Sequence, residues 1–484
     1  MSTPTIWIFL PIAVSILLMA VHRLHKLSVW IAALSSLLFA AAAFIFPQDL
    51  DFSMFGRHFH FDSTFMILNR SLILSASQLR FVSLLYFFSF LWNLTGLQFS
   101  TSRWFPTISL AITALWVSAL AVEPFLYAAA IVELIVLIST LLITPRGEPA
   151  SSGVLRYLVT QTIALPFILL SGWMVAGIES APIASALVLR GTILILIGFA
   201  LWLAVFPFHT FLPMLAGKSH PLVFGFVFLM QQSSLWVFLL KFLDQFAWLR
   251  NLEGIFPALQ WIGVLTLLAG GILASLQSKV NRILAYLVMT ETGCALLGIG
   301  LIAQGGGAFL ALSFLPRALA YWQWSYTLSS IQKIAPEVDG SFDSLRGLFR
   351  RLPFHSASLI LSMLSLLGLP AFGIFPAKRM LWNIGAGLTL PYTPLLSLAV
   401  AGMSLFILRL LRALVTPEPN TPSSSLLIQR EEPAWQIILL CALTLFSLLM
   451  GIFPHLFLNP FMETLGAFPN SCPPIRMTGP PSIV

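Results

Sequence analysis

The chain has 484 residues, of which 58% are hydrophobic and only 9% charged; its mean hydropathy is +0.94. A soluble domain carries roughly 25% charged residues, so this chain cannot cover a globular surface and reads as an integral membrane protein. The formal charge of +8 would point to nucleic acid in a soluble protein; here it belongs to topology, and no nucleic-acid partner is expected.

The N-terminus, MSTPTIWIFLPIAV, has no basic residue before its apolar run and no small-x-small cleavage site. It is expected to be an uncleaved first span. A crossing needs about 20 mostly apolar residues. About fourteen candidates follow in order, near 6–22, 28–46, 71–95, 105–121, 124–143, 154–176, 184–216, 221–243, 256–276, 282–302, 306–331, 354–383, 389–414 and 434–457. The polar linkers are 47–70, 332–353 and 415–433, the last holding TPEPNTPSSS, a loop by composition. Fifteen of the 25 Lys and Arg residues fall in odd-numbered loops and six, Lys241 among them, in even loops and termini. That bias puts odd loops in the cytoplasm and both termini on the outer face of the inner (plasma) membrane.

Cys294, Cys441 and Cys472 show no paired spacing, so no disulfide, haem or iron–sulfur site is expected. No phosphate-binding, dinucleotide or HExxH motif occurs. No cofactor or metal is expected, and redox chemistry is assigned to another chain.

An ionisable residue at bilayer depth costs several kcal/mol unless it meets a partner or water, so each is a functional candidate. Glu133 lies mid-span in PFLYAAAIVELIVLISTLLI with no base within a turn. It reads as a proton-relay carboxyl or as a structural hydrogen-bonding group. Glu291, in NRILAYLVMTETGCALLGIG, has the same two readings, with Thr290 and Thr292 as local partners. Lys378 follows a stretch interrupted by Pro370, Gly373 and Pro376. A broken helix frees carbonyls and is tolerated where it lines a cavity; a lysine there can titrate or can snorkel from the helix end beside Arg379. Arg317, after Pro316, holds its proton at any accessible pH and suits structural pairing.

A second broken span carries LWLAVFPFHTFLPML, with His209 between Pro207 and Pro213. Spans 7 and 12 both break at proline. Five crossings apart, they traverse the bilayer in opposite senses, as an inverted five-helix repeat predicts. The expected fold is all-α and polytopic: N-terminal helices in 1–104, repeats in 105–243 and 256–414, and a last helix and tail in 415–484.

Four segments together carry a family resemblance: VELIVLISTLLI, FPFHTFLPMLAGKSHPL, ASLQSKVNRILAYLVMTETG and LRGLFRRLPFHSASLILSMLSLLGLPAFGIFPAKRML. The chain resembles the antiporter-like subunits N, M and L of NADH:quinone oxidoreductase (complex I) and the large subunits of Mrp-type antiporters. The resemblance implies a membrane-arm subunit of a respiratory or hydrogenase-type complex, with other membrane subunits as partners, moving protons or cations through a hydrated axis. It carries over Glu133 and Lys378, with His209 as a further path residue. It places Glu291 where the family has a histidine, Arg317 where it has a lysine and Met214 where it has an aspartate. Ser234, near Gln231 and Gln232, takes the place of a lysine or histidine. Trp202 stands where the family has the span-7 lysine, and an indole N–H does not titrate in water. A Glu–Lys pair there would be worth about 4 kcal/mol at ~4 Å and an effective dielectric near ~20. Without it the first half conducts by another route or is shut, so a structural, non-pumping subunit is the alternative. A third reading, a lipid-linked glycosyltransferase, rests on the Asp49-Leu50-Asp51 triplet alone.

Overall fold

The computed structural model describes residues 2–45, 52–54, 57–59, 62–67, 70–99, 102–144, 147, 149–178, 186–387, 392–417, 432–457 and 459–472. The Asp49-Leu50-Asp51 triplet and most of TPEPNTPSSS lie outside them. The helices, in order, are α1 (Leu10–Val21), α2 (His25–Ile45), α3 (Ala76–Thr95), α4 (Phe105–Ala121), α5 (Tyr127–Ile143), α6 (Ser152–Ile178), α7 (Ala186–Trp202), α8 (Phe211–Ala216), α9 (Pro221–Gln245), α10 (Ala247–Arg250), α11 (Ile255–Ser275), α12 (Val280–Gly300), α13 (Ala308–Ile334), α14 (Leu348–Arg351), α15 (Pro353–Leu367), α16 (Phe375–Ala386), α17 (Tyr392–Val415) and α18 (Ala434–Ile452). Among the described residues, seven helices are long and apolar enough to cross a membrane and five more are apolar but shorter. The chain is a multi-pass membrane protein.

The all-α expectation needs one correction. The linker 47–70 and its surroundings form short antiparallel pairs, β1 (Phe52–Met54) with β2 (Arg57–Phe59) and β3 (Thr64–Ile67) with β4 (Arg70–Ile73); β5 (Val122–Glu123) then joins β4. These residues lie between apolar helices, where backbone groups not used in a helix need another ladder. The β4–β5 pairing ties the α2–α3 connection to the α4–α5 connection.

Burial separates centre from rim. In α9 and α12 the most apolar 18-residue stretch is wholly buried, whereas in α18 only 22% of it is. A helix apolar all round belongs in the middle of a bundle, and α9 and α12 form that middle. Hydrogen bonds sort the connections into two sets. Lys333 Nζ donates to the Gln98 carbonyl, Val280 N to Gly340 O, and Arg409 to the Ser275 carbonyl. At the other end Asn470 N and Ser471 N donate to Asp244, and Tyr392 Oη to Gln260 Oε1.

Lys241 belongs to α9 and not to a loop: its amine is buried, donates to Leu120 O at 2.9 Å and lies 3.7 Å from Glu123 Oε1. A four-carbon stem let this base enter the bundle and find a carbonyl and a carboxylate.

Both proline-interrupted spans are broken. α7 stops at Trp202 and resumes after a short turn at Phe208–Thr210 as α8. α15 stops at Leu367, and α16 starts at Phe375. The two non-glycine residues with positive φ among the described residues are Ala204 (φ 52°) and Ala371 (φ 77°), one in each break. Such backbone costs about 1–3 kcal/mol and collects at functional sites. Gly368 (φ +84°) caps α15, and a Cβ there would stand 2.7 Å from Lys378 Cδ. The turn needs glycine for its conformation and for the approach of that side chain.

Candidate functional site on the central axis

The breaks leave helix-end carbonyls without intrahelical partners. At the second break, the amine of Lys378 donates to Leu366 O at 2.5 Å, on the negative end of the α15 dipole. The same amine lies 2.7 Å from Glu291 Oε1, and the Glu291 side chain is wholly buried. The two acidic and basic candidates are therefore one ion pair bridging α12 and α16. Thr290 and Thr292 are not the carboxylate's partners: Thr290 donates to Leu287 O, and Thr292 receives Gln232 Nε2 at 2.5 Å. Lys378 points inward and does not snorkel. Beside it is a cavity of about 50 Å³ whose lining is mostly apolar (Leu267, Leu287, Leu396 and Met403 among others), with Thr290, Cys294 and the Lys378 amine as its polar edge.

At the first break the corresponding carbonyls meet neutral donors. Gln161 Nε2 bonds Leu201 O (3.1 Å) and Trp202 O (3.4 Å). Gln231 Nε2 bonds Trp202 O at 3.0 Å and Gln161 Oε1 at 2.9 Å. The Trp202 indole is buried between Phe199 and Phe238, and its Nε1 has no partner among the described residues. Glu133 accepts from Thr162 Oγ1 at 2.7 Å; its Oε2 is buried without a partner. Thr162 itself is exposed, so Glu133 sits on the α5–α6 flank and not at the centre.

Helix α9 joins the halves. Gln231 faces the first, also accepting from Tyr157 Oη at 3.3 Å. Gln232, one residue on, faces the second: it donates to Val288 O at 2.6 Å and accepts from Tyr321 Oη at 3.5 Å. Arg317 is fully buried, donates to the Ser233 hydroxyl and lies 3.8 Å over the Trp236 ring. Its Nε and Nη1 have no partner among the described residues, so its pairing is with a hydroxyl and a ring face. Ser234 Oγ is buried and unpartnered. His209 sits in the first break, stacked on Phe206, with Nδ1 buried and unpartnered. No set of three or more His, Cys, Asp or Glu residues among those described could hold a metal.

Comparison with known proteins agrees with this architecture. Residues 125–404 match the model of the family described as NADH:quinone oxidoreductase/Mrp antiporter, TM. The chain is 26% identical over 351 residues to subunit N 2 of NADH-quinone oxidoreductase from Acidobacterium capsulatum, covering 65% of this chain and 67% of that one. It is 28% identical to subunit N from Methylococcus capsulatus over 56% of this chain, spanning 57% of that protein's length. Among solved structures, a chain of the membrane-bound sulfane sulfur reductase, an archaeal respiratory membrane complex, matches with a TM-score of 0.78 at 17% identity, over 97% of this chain and 98% of that one. The family match covers more than half of the chain, from α5 through both breaks and the ion pair at the second, and the protein belongs to the NADH:quinone oxidoreductase/Mrp antiporter transmembrane family.

Proposed function

We propose that the chain is a membrane-arm subunit of a complex I-like respiratory or hydrogenase-type assembly and takes part in translocating protons or cations along the α5–α16 axis. The observation that carries this reading is the Glu291–Lys378 pair at the second helix break. A buried ion pair is a poor stabiliser, because desolvation offsets its attraction. A pair placed between two half-helices and beside a small cavity suits proton exchange instead. The buried, unpartnered atoms of Glu133, Arg317 and Ser234 want further polar partners, which water entering the axis supplies. The reading takes fourteen crossings, with α4–α9 and α11–α17 as inverted repeats in 105–243 and 256–414. It places odd loops in the cytoplasm and both termini outside the inner membrane. The relatives are named as subunits of NADH-quinone oxidoreductases, and partners for this chain are other membrane subunits, one of which covers the Glu133 flank.

A structural, non-pumping role is the second reading, favoured by Trp202 and by the neutral amides around it. Proton uptake by the native complex in inverted vesicles tests the first. Glu291→Gln removes uptake while the complex still assembles; unchanged uptake leaves the structural role.

A further inference from the structure

The second half carries a polar line that the axis does not use. It runs along one face of α15, where His355, Ser358, Ser362 and Ser365 recur at helical spacing. All four are buried. His355 Nδ1 lies 2.8 Å from Glu432 Oε1, and its Nε2 lies 2.9 Å from Gln436 Oε1 on α18. Glu432 also accepts from the backbone N–H groups of Phe354 and His355, so it caps the positive end of α15. One turn further in, Ser358 receives Gln323 Nε2 at 3.0 Å and meets Thr327 Oγ1 at 3.0 Å. Gln323 also reaches Thr444 of α18 at 2.9 Å. Ser365 meets Ser447 of α18 at 3.2 Å. The next residue, Leu366, supplies the carbonyl that holds Lys378.

We infer that this seam between α13, α15 and α18 is the proton entry of the second half, leading from His355 and Glu432 to Lys378. It rests on the translocation reading above. The ten steps from His355 to Ser365 rise about 15 Å, roughly half the ~30 Å hydrocarbon thickness. Ser358, Ser362 and Ser365 follow one another at rises of about 6 and 4.5 Å along the helix; Ser362 Oγ donates to Leu359 O at 2.9 Å and keeps its lone pairs for a bridging water. A hydroxyl both donates and accepts, so each oxygen takes a proton from the His355 side and releases its own toward Lys378. His355 passes the proton into the seam from its far end; the Lys378 ammonium first gives its proton to the Glu291 carboxylate, and the neutral amine so left takes the incoming proton and becomes ammonium again. Hydroxyls also glue membrane helices together. That role alone explains neither the His–carboxylate pair at one end nor the titratable amine at the other.

The native complex is reconstituted into vesicles holding the pH dye pyranine, and proton flux is driven by a valinomycin–potassium potential. Ser362→Leu fills the seam and lowers flux roughly tenfold. Ser362→Ala, which packs without strain, lowers it less. Glu291→Gln interrupts the axis and serves as the reference for the function itself. In D2O, infrared spectra of Ser362→Cys, corrected for the native thiols, show rapid S–H to S–D exchange, which reads water entry whatever the leucine variant does to folding. Loss of flux in Glu291→Gln with full flux in both Ser362→Leu and Ser362→Ala, or a Ser362→Cys thiol that stays S–H for hours, overturns the seam and leaves the function standing. Wild-type flux no greater than that of protein-free vesicles overturns the proposed function and the seam with it.

Discussion

The two helix breaks solve one problem with different chemistry. Each leaves carbonyls exposed at the end of a half-helix. Around Trp202 those oxygens take amide hydrogens from Gln161 and Gln231; around Leu366 they take the ammonium of Lys378, with Glu291 behind it. In the first arrangement the Leu201 and Trp202 carbonyls are met by neutral amides, with no formal charge on them. The second holds a buried ion pair, Lys378 against Glu291. A shared backbone device is thus separable from the charge it carries, and a half can keep its break after giving up its base.

The largest effect is expected at the charged break. Lys378→Met leaves Glu291 buried without a counter-charge and lowers stability by about 3–5 kcal/mol. Adding Glu291→Leu recovers most of that loss, because the pair itself contributes little net stability; thermal unfolding of the four variants in detergent gives the coupling. Equal losses in single and double variants would mean that the pair holds the break together. Next comes Trp202→Lys, which forfeits the packing on Phe199 and Phe238 at a cost of about 3 kcal/mol or more. If the first half keeps a usable path, proton uptake changes in Trp202→Lys and not in Trp202→Lys/Glu133→Gln. Uptake unchanged in both would make that half a scaffold.

Gln231→Leu strands the Gln161 carbonyl and the Tyr157 hydroxyl and costs about 1–3 kcal/mol, with no change in uptake if the first half is silent. The smallest effect lies outside the membrane. Asp339 sits in the connection before α15; hydrogen bonds from the Ser341 side chain and backbone hold its carboxyl down, to about 2. A depressed carboxylate stabilises the fold above its unfolded value, and the contribution fades as pH falls toward 2. Asp339→Asn is therefore slightly less stable than wild type at neutral pH, and the gap narrows below about pH 4. Melting curves across that range read it, and a gap that widens in acid would refute the assignment.

The sequence displayed the membrane class, both breaks and the charged candidates, since a charge or a proline inside an apolar run is conspicuous by itself. Pairing was not legible: Glu291 and Lys378 are far apart in the chain, and near neighbours such as Thr292 looked like adequate partners. The neutral parts of the axis were hidden as well. Tyr157, Gln161 and Tyr321 carry no charge, so a search for ionisable groups passes over them, although a lone glutamine in YLVTQTIALP was a usable signal. Trp202 was found only through the family pattern. His355 and Glu432 escaped because they lie at the ends of spans, where polar residues are ordinary. The small β pairings around 52–73 lie in the expected linker 47–70 and, for β4, at the head of the span expected at 71–95, though FHFDSTFMI partly alternates with a period of two.

Gln231 and Gln232 are neighbours on one helix, yet they serve opposite halves. Consecutive side chains on a helix differ by about 100° in direction and 1.5 Å in height. Any swivel of α9 that loosens one amide from its carbonyl must therefore drag the other by the same angle. The two sides of the molecule share a single axle, and a disturbance at the ion-paired side is felt at the amide-lined side through rigid backbone alone, with no charge needing to travel between them.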